Sequence, residues 1–360
     1  MIIGGVHATF MPNEAAQYAD VVLVGEGDSV IAEVVENDYK GIIQGKPCGN
    51  LDELPFPDLT LLKDVKLPLY YTPISTSRGC PFNCTFCSVT AMFGRQYRFR
   101  SPKSIVNELL ENKHRRIFFY DDNFCALRTR TKEILKLMKE HKIAKPWMTQ
   151  ATINLADDEE LLKLMADTNC EILCFGFESI NPNTLKEYNK DHKAQELGNI
   201  KKSIKKIHDL GIKIRGMFVL GSDNDDKSTV KETVNFCKEY DVDYPQFSIL
   251  TPLPGSNLFK NLSEQGRIFS RDWNLYDLNH VVYHPKNMSA YELQVKINEA
   301  TKSLYWFTKR GFDFFFHNVF QGIEVLKKSF KWWKDHKGYL KFLEKVHTKK
   351  ISPETNLSPQ

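Results

Sequence analysis

From Tyr71 onward, short apolar runs alternate with longer stretches whose apolar residues recur at helical period. The strand-like runs are Tyr71–Ser77, Arg116–Asp121, Trp147–Thr152, Ile172–Phe177, Ile212–Leu220 and Gln246–Leu250. Between them, Ser104–Asn112, Thr131–His141, Asp158–Asp167, Glu196–Leu210 and Ser228–Glu239 read as helices. Ser101-Pro102 and Asp157 read as helix starts and Gly211 as a helix stop. Six strands separated by helices predict a parallel sheet. Right-handed crossovers curl such a sheet into a full or partial barrel, here an α/β, partial (β/α)6 TIM-like barrel. In that architecture a ligand sits at the carboxyl ends of the strands.

The flanks differ. At the amino end, "MII" reads as the end of a strand, Gly4-Gly5 as a tight turn, Pro12–Tyr18 as a short helix and Val21–Val24 as a buried strand. Gly25-Glu26-Gly27 breaks that strand before a helix from Ser29 to Glu36. Two strands and two helices bury too little apolar surface to stand alone, so this piece is expected to pack on something. Gly and Pro between Gly45 and Pro57 mark a linker. After Leu250, "TPLPGSNLF" reads as a loop and Ser289–Arg310 as a helix, followed by a helical, aromatic and basic tail. The expected division is 1–45, a linker at 46–69, the barrel at 70–285 and a helical region at 286–360.

Composition changes this picture little. Charged residues are 26% and hydrophobic residues 42%, the balance of an ordinary globular chain. The net charge is +4, but the stretch from Ile323 onward carries nine Lys against four acidic residues, +5, which leaves −1 for the remainder. The barrel region therefore has no net basic excess to attract nucleic acid, and any basic surface belongs to the tail. No apolar run approaches the ~20 residues that span a bilayer, and no basic segment followed by an apolar stretch opens the chain. The 8 cysteines then read as reduced thiols or metal ligands, and the expected location is the cytoplasm.

The sharpest signal is "RGCPFNCTFC", Arg78 to Cys87, which places Cys80, Cys84 and Cys87 within eight residues directly after the first barrel strand. Structural zinc takes four N or S ligands, usually as two separated pairs, and the next cysteine, Cys125, lies past a helix and a strand. A redox dithiol needs only two cysteines. Three thiolates suit a 4Fe–4S cube better: they hold three irons and leave the fourth open to a ligand. Pro81 and Asn83 curl the loop and free backbone N–H groups to face sulfur.

"CPFNCTFC" resembles the C-x3-C-x2-C signature of the radical S-adenosylmethionine (SAM) superfamily, including the aromatic Phe86 before the third cysteine. The resemblance implies that SAM chelates the open iron and that an electron from the cluster cleaves its sulfonium to methionine and a 5′-deoxyadenosyl radical. Asp121 and Asp122, ending "IFFYDDNF", fall where relatives orient the methionine amino group. Glu178 and Ser179, ending "CFGFES", fall where relatives contact the ribose or the methionine. Gly216 in "RGMFVLG" and Pro252 in "LTPLPGSNLF" fall in segments that line the adenine in relatives.

The amino-terminal "GGVHATFMPNEAAQYADVVLVGEGDSV" resembles the closing part of the Rossmann-like cobalamin-binding domain that precedes the barrel in hopanoid-modifying enzymes, the anaerobic magnesium-protoporphyrin cyclase and several methyltransferases. The front strands of such a domain do not precede it here. A doubly wound domain needs them for its crevice, so the fragment is expected to pack on the barrel as a remnant, and cobalamin stays open as a cofactor. The expected activity is modification of an unactivated carbon of a small-molecule or lipid-like substrate, including methyl transfer, with an electron from a flavodoxin- or ferredoxin-type reductant. The alternatives are a tRNA-modifying radical enzyme, allowed by the Lys-rich tail, and a truncated, non-catalytic iron–sulfur protein. Cys125 reads as a small core residue, and Cys170 and Cys174, four apart on a strand, as core residues on one face. The tail reads as a helix docked on the barrel with Lys outward, or as a peripheral membrane contact.

Overall fold

The computed structural model describes residues 1–62, 71–111, 115–190, 197–305 and 336–346. Among the described residues the strands are β1 (Ile2–Ile3), β2 (Val21–Val24), β3 (Gly41–Gln44), β4 (Thr72–Ile74), β5 (Ser77–Arg78), β6 (Arg98–Phe99), β7 (Ile117–Phe119), β8 (Trp147–Ala151), β9 (Cys170–Glu178), β10 (Lys213–Leu220) and β11 (Tyr244–Ile249). Six of them form one sheet in the order β4-β7-β8-β9-β10-β11, and every pairing in it is parallel. Neighbours in sequence are neighbours in space, so each crossover helix turns the same way. That order is the one a (β/α)6 barrel requires.

The helices begin and end for identifiable reasons. Pro102 opens Pro102–Glu111, with Ser101 Oγ accepting from Ser104 N at 3.2 Å. Asp158, not Asp157, caps Glu159–Asp167, taking Leu161 N at 3.0 Å. Asp226 and Thr229 form a capping box at the head of Lys227–Glu239. Gly211, at φ +76°, ends the turn after Ile200–Asp209. Ala290–Tyr305 extends the layer by packing on Lys227–Glu239 and β11.

One apolar core fills the space between sheet and helices. Phe119 and Phe124 stack at 4.8 Å, Trp147 meets Phe119 edge-on at 5.6 Å, and the Trp147 indole N–H donates to the Thr168 carbonyl at 2.8 Å. Trp147 is fully buried, so Trp147→Ala is expected to cost about 3–5 kcal/mol in denaturant unfolding.

Two expectations are corrected. The first barrel run is not one strand: at Thr76 and Ser77 the backbone N–H groups donate to the Asp121 carboxylate at 2.8 and 2.5 Å rather than to a neighbouring strand. This peels β5 away to pair antiparallel with β6. The amino-terminal piece has three strands, not two, because Gly41–Gln44 adds to β2 in parallel register. It rests on the barrel. Glu14 accepts from Trp273 Nε1 at 2.6 Å, His7 meets Trp273 edge-on at 4.9 Å, and Gly255 lies against Phe10 so closely that a Cβ there would be 2.6 Å from its ring.

Residues 336–346 are helical, and Tyr339 and Leu343 join the core. The expectations for most of the tail, and for part of the linker, lie outside the described residues. Among those described, no helix is long and apolar enough to cross a membrane.

Candidate active site

The segment from Gly79 to Tyr97 is a loop closed at its base by the β5–β6 pairing of Arg78 with Arg98. Gly79 is held at φ +87°, and a Cβ on it would lie 2.3 Å from the Gln96 carbonyl oxygen, so only glycine fits where the chain turns out of β5. The loop is moored to the barrel. Thr85 N donates to the Tyr188 carbonyl at 3.3 Å, its Oγ1 to the Glu187 carbonyl at 3.1 Å, and its own carbonyl accepts from Leu258 N at 2.9 Å. Asn189 Nδ2 donates to the Asn83 carbonyl at 3.2 Å.

Cys80, Cys84 and Cys87 are half-buried and free of disulfides. Backbone amides face two of them: Phe82 N–H points at Cys80 sulfur, and Val89 N donates to Cys87 Sγ at 3.4 Å. Burial pushes the Cys80 thiol up and Cys87 to about 11, so without a metal both stay protonated near neutral pH. A bound metal supplies the positive charge that makes them thiolates. Among the described residues, no three His, Cys, Asp or Glu side chains converge closely enough to hold a single ion. Soft sulfurs sharing one cavity, with backbone amides facing two of them, suit an iron–sulfur cluster.

That cavity, of about 190 Å³, is several times the volume of a water and lies at the carboxyl ends of the strands. The loop contributes Cys80, Phe82, Cys84, Phe86, Cys87 and Val89. Asp122 and Asn123 follow β7; Gln150, Ala151 and Thr152 come from the end of β8; Cys174, Gly176 and Glu178 come from β9, Met217 from β10, and Lys190 closes one side.

The charged groups are arranged unevenly. Asp122 opens to the cavity, yet the surrounding wall, and then the charge of Asp121, push its pKa up to about 6. Asn123 is buried, and its Oδ1 meets no donor among the described residues. Glu178 is held at φ +65° where the β9–β10 register shifts. Its Oε1 accepts from Lys190 Nζ at 2.5 Å, and Lys190 also lies 5.5 Å over the Phe86 ring. Phe86 in turn meets Tyr188 edge-on at 5.0 Å.

Of the ten residues singled out from the sequence, the structure brings Cys80, Cys84, Cys87, Phe86, Asp122 and Glu178 to the cavity wall. The other four are not on it. Asp121 is buried, and its oxygens accept from the backbone N–H and hydroxyl groups of Thr76 and Ser77 at 2.5–2.8 Å. Ser179, fully buried, turns the chain by accepting from Asn181 N at 3.0 Å. Gly216 faces the helix layer, where a Cβ would stand 2.8 Å from Val242 and 3.0 Å from Phe177; its neighbour Met217 faces the cavity. Pro252 is buried beyond the wall.

The paired-cysteine expectation also needs correction. The register slips between Trp147 and Met148 opposite the start of β9, so Cys170 joins the core while Cys174 becomes a fourth thiol on the cavity. Cys125 lies in the core as expected. Sequence reasoning passed over Asn123, Gln150, Thr152, Met217 and Lys190. Asn123, Gln150 and Thr152 sit at or just past strand ends, where position alone was the available signal, and Met217 lies inside β10; Lys190 lies twelve residues past Glu178 with a helix between, and no spacing links them.

Comparison with known proteins agrees with this site. Residues 74–251 match the Radical SAM superfamily. The bacteriochlorophyllide d C-12(1)-methyltransferase of Chlorobaculum tepidum is 27% identical over 99% of this chain and 76% of that protein. The anaerobic magnesium-protoporphyrin IX monomethyl ester cyclase of Rubrivivax gelatinosus is 26% identical over 81% of this chain and 58% of that one. The solved structure of OxsB, a cobalamin-dependent SAM radical enzyme with aqua-cobalamin and SAM bound, superposes with a TM-score of 0.62 at 16% identity, covering 98% of this chain. This chain spans 60% of the length of that one, and the likeness is one of fold. With its loop thiols, its sequentially ordered parallel sheet and these matches, the chain belongs to the radical SAM superfamily, whose cofactors are a 4Fe–4S cluster and SAM.

Proposed function

We propose that Cys80, Cys84 and Cys87 ligate the 4Fe–4S cluster and that the rest of the cavity wall seats SAM beside it. The observation that carries this reading is the meeting of three loop thiols with Asp122, Asn123 and Glu178 in one cavity at the carboxyl ends of the strands. When bound, the cluster supplies one electron to the sulfonium of SAM, which releases methionine and the 5′-deoxyadenosyl radical that takes a hydrogen atom from an unactivated carbon.

The protein's part is binding, orientation and exclusion of water. Asp122 and the unpartnered Asn123 Oδ1 supply acceptors for the N–H groups of the methionine end. Lys190, held by Glu178, supplies a cation beside Phe86. Gly176 leaves room on β9, and Met217 adds a soft apolar wall. The reaction we assign is modification of an unactivated carbon of a small organic molecule. Its relatives' names include methyltransferases and a cyclase acting on tetrapyrroles. None of the described residues lining this cavity comes from 1–45. The division at 1–45, 46–69, 70–285 and 286–360 is retained as the proposed domain organisation. An external one-electron reductant of the flavodoxin or ferredoxin type and a reducing compartment, the cytoplasm, complete the proposal.

Asp122 provides a test. A carboxyl group accepts a hydrogen bond from an N–H group more strongly when ionised, and Asp122 is protonated below about pH 6. SAM affinity, measured by anaerobic equilibrium dialysis, is expected to be full above pH 7 and to fall by up to roughly tenfold per pH unit below 6. Asp122→Asn is expected to bind more weakly with a flat profile over the same range. An unchanged slope in that variant removes Asp122 from the SAM site.

A further inference from the structure

The ribbon that closes the cluster loop contains an electrostatic conflict. Arg78 and Arg98 stand opposite each other across the β5–β6 pair. Like charges at directly opposed positions destabilise a ladder. The opposing charge comes from another part of the chain, the turn after β2. Glu26, whose side chain is 3% exposed, accepts from Arg78 Nη1 at 2.6 Å through one oxygen, which also takes Arg98 Nη1 at 3.1 Å, and its other oxygen pairs with Arg98 Nη2. Asp28 takes Arg78 through both carboxylate oxygens at 2.6 and 3.2 Å. The Cys48 carbonyl takes Arg98 Nη1 at 2.7 Å. Two cations thus meet two anions, and Glu26 is the one shared by both. Its placement is tight: a Cβ on Gly45 would lie 2.0 Å from the Glu26 carbonyl oxygen.

We propose that Glu26 is a positioning residue for the cluster: by bridging Arg78 and Arg98 it pins both ends of the loop that carries Cys80, Cys84 and Cys87. The amino-terminal piece is then a working part of the iron–sulfur site whether or not it binds a corrinoid. Glu26 touches no reacting atom. It acts through the two arginines, on how often the loop opens. The inference rests on the reading that this loop holds the cluster.

The test uses the full chain as wild type, Glu26→Gln, Glu26→Asp and, as a control, Glu171→Gln. Glu171 pairs with Arg116, a partly exposed ion pair near the amino-terminal ends of β7 and β9, away from the loop. Two readouts are taken. In apo protein under native conditions, alkylation of Cys80, Cys84 and Cys87 is timed by peptide mass spectrometry. In anaerobically reconstituted protein, iron loss to a chelator is timed and the spin signal of the reduced cluster recorded.

Glu26→Gln is expected to speed both thiol labelling and iron loss on the order of tenfold, because a buried charge bridge governs local opening. Glu26→Asp, which keeps the charge, is expected to recover most of the difference, and Glu171→Gln to match wild type. Wild-type rates in Glu26→Gln, or equal acceleration in Glu171→Gln, overturn the proposal. If Glu26→Gln lowers the helical circular dichroism, the comparison passes to Arg98→Lys, which keeps the charge but cannot reach both Glu26 oxygens as the guanidinium does, and is expected to speed labelling several-fold. Wild-type labelling in a folded Arg98→Lys overturns the proposal as well. If wild type binds no iron, the cluster reading fails, while the apo labelling still decides the clamp.

Discussion

Cys84→Ala is expected to lose iron and to make no detectable 5′-deoxyadenosine when reduced in the presence of SAM. The fall should be at least on the order of 100-fold, because two thiolates cannot hold a cube that leaves one iron open for SAM. The same outcome is expected at Cys80 and Cys87. The other cysteines make the prediction specific. Cys125 and Cys237 are buried among apolar side chains, so Cys125→Ala and Cys237→Ala should cost roughly 1–2 kcal/mol of stability and keep the cluster. Cys174 lines the same cavity but comes from β9 rather than from the loop, and Cys174→Ala should also retain iron. Iron content of the reconstituted variants, with deoxyadenosine measured by chromatography, checks the whole series. Retention of iron by Cys84→Ala would remove that thiol from the ligand set.

Gly79→Ala is the second change expected to have a large effect, though it removes no ligand. The new methyl would lie 2.3 Å from the Gln96 carbonyl oxygen, which is backbone and cannot swing aside. The residue would also be held at φ +87°, where a side chain costs about 1–3 kcal/mol. Both penalties fall at the residue before Cys80, at the mouth of the loop. The six-stranded sheet does not depend on that turn, so the far-ultraviolet circular dichroism should be kept while iron loading falls on the order of tenfold or more. Gly49→Ala is the matched control. A Cβ there meets nothing within 4 Å, and iron loading should not change.

The barrel was legible because each of its strands is an apolar run bounded by helical periodicity, and local pattern reports burial directly. The cysteine triplet was legible because three ligands within one loop leave their spacing in the sequence. Features built by distant partners were not legible. The split between β4 and β5 depends on Asp121, which takes backbone N–H groups 44 and 45 residues away. β3 is four residues long and largely exposed, with no clear apolar alternation, and becomes a strand by pairing with β2. Cys174 reaches the cavity through a register slip against β8 that a period of two cannot anticipate. Gly216 falls in a segment read as lining the adenine, and alternation along β10 turns the side chain of its neighbour Met217 to the cavity. Glu26 read only as part of a strand break between two glycines, since its arginines lie 52 and 72 residues further on.

These misses share a cause. A sequence records what each residue prefers locally, while the wall of a cavity is decided by which strand ends the fold brings together. The thiols that bind the cluster are local. The groups proposed to position SAM and to steady the loop come from β7, β9, the segment after Pro182–Glu187 and the turn after β2.

The most direct measurement is electron paramagnetic resonance of the anaerobically reconstituted, dithionite-reduced protein, recorded before and after SAM is added. A reduced 4Fe–4S signal whose g-values move when SAM binds, lost in Cys84→Ala, is the result predicted by an open iron held by Cys80, Cys84 and Cys87. A protein that takes up no iron, or a cluster signal that SAM leaves unchanged, would contradict it.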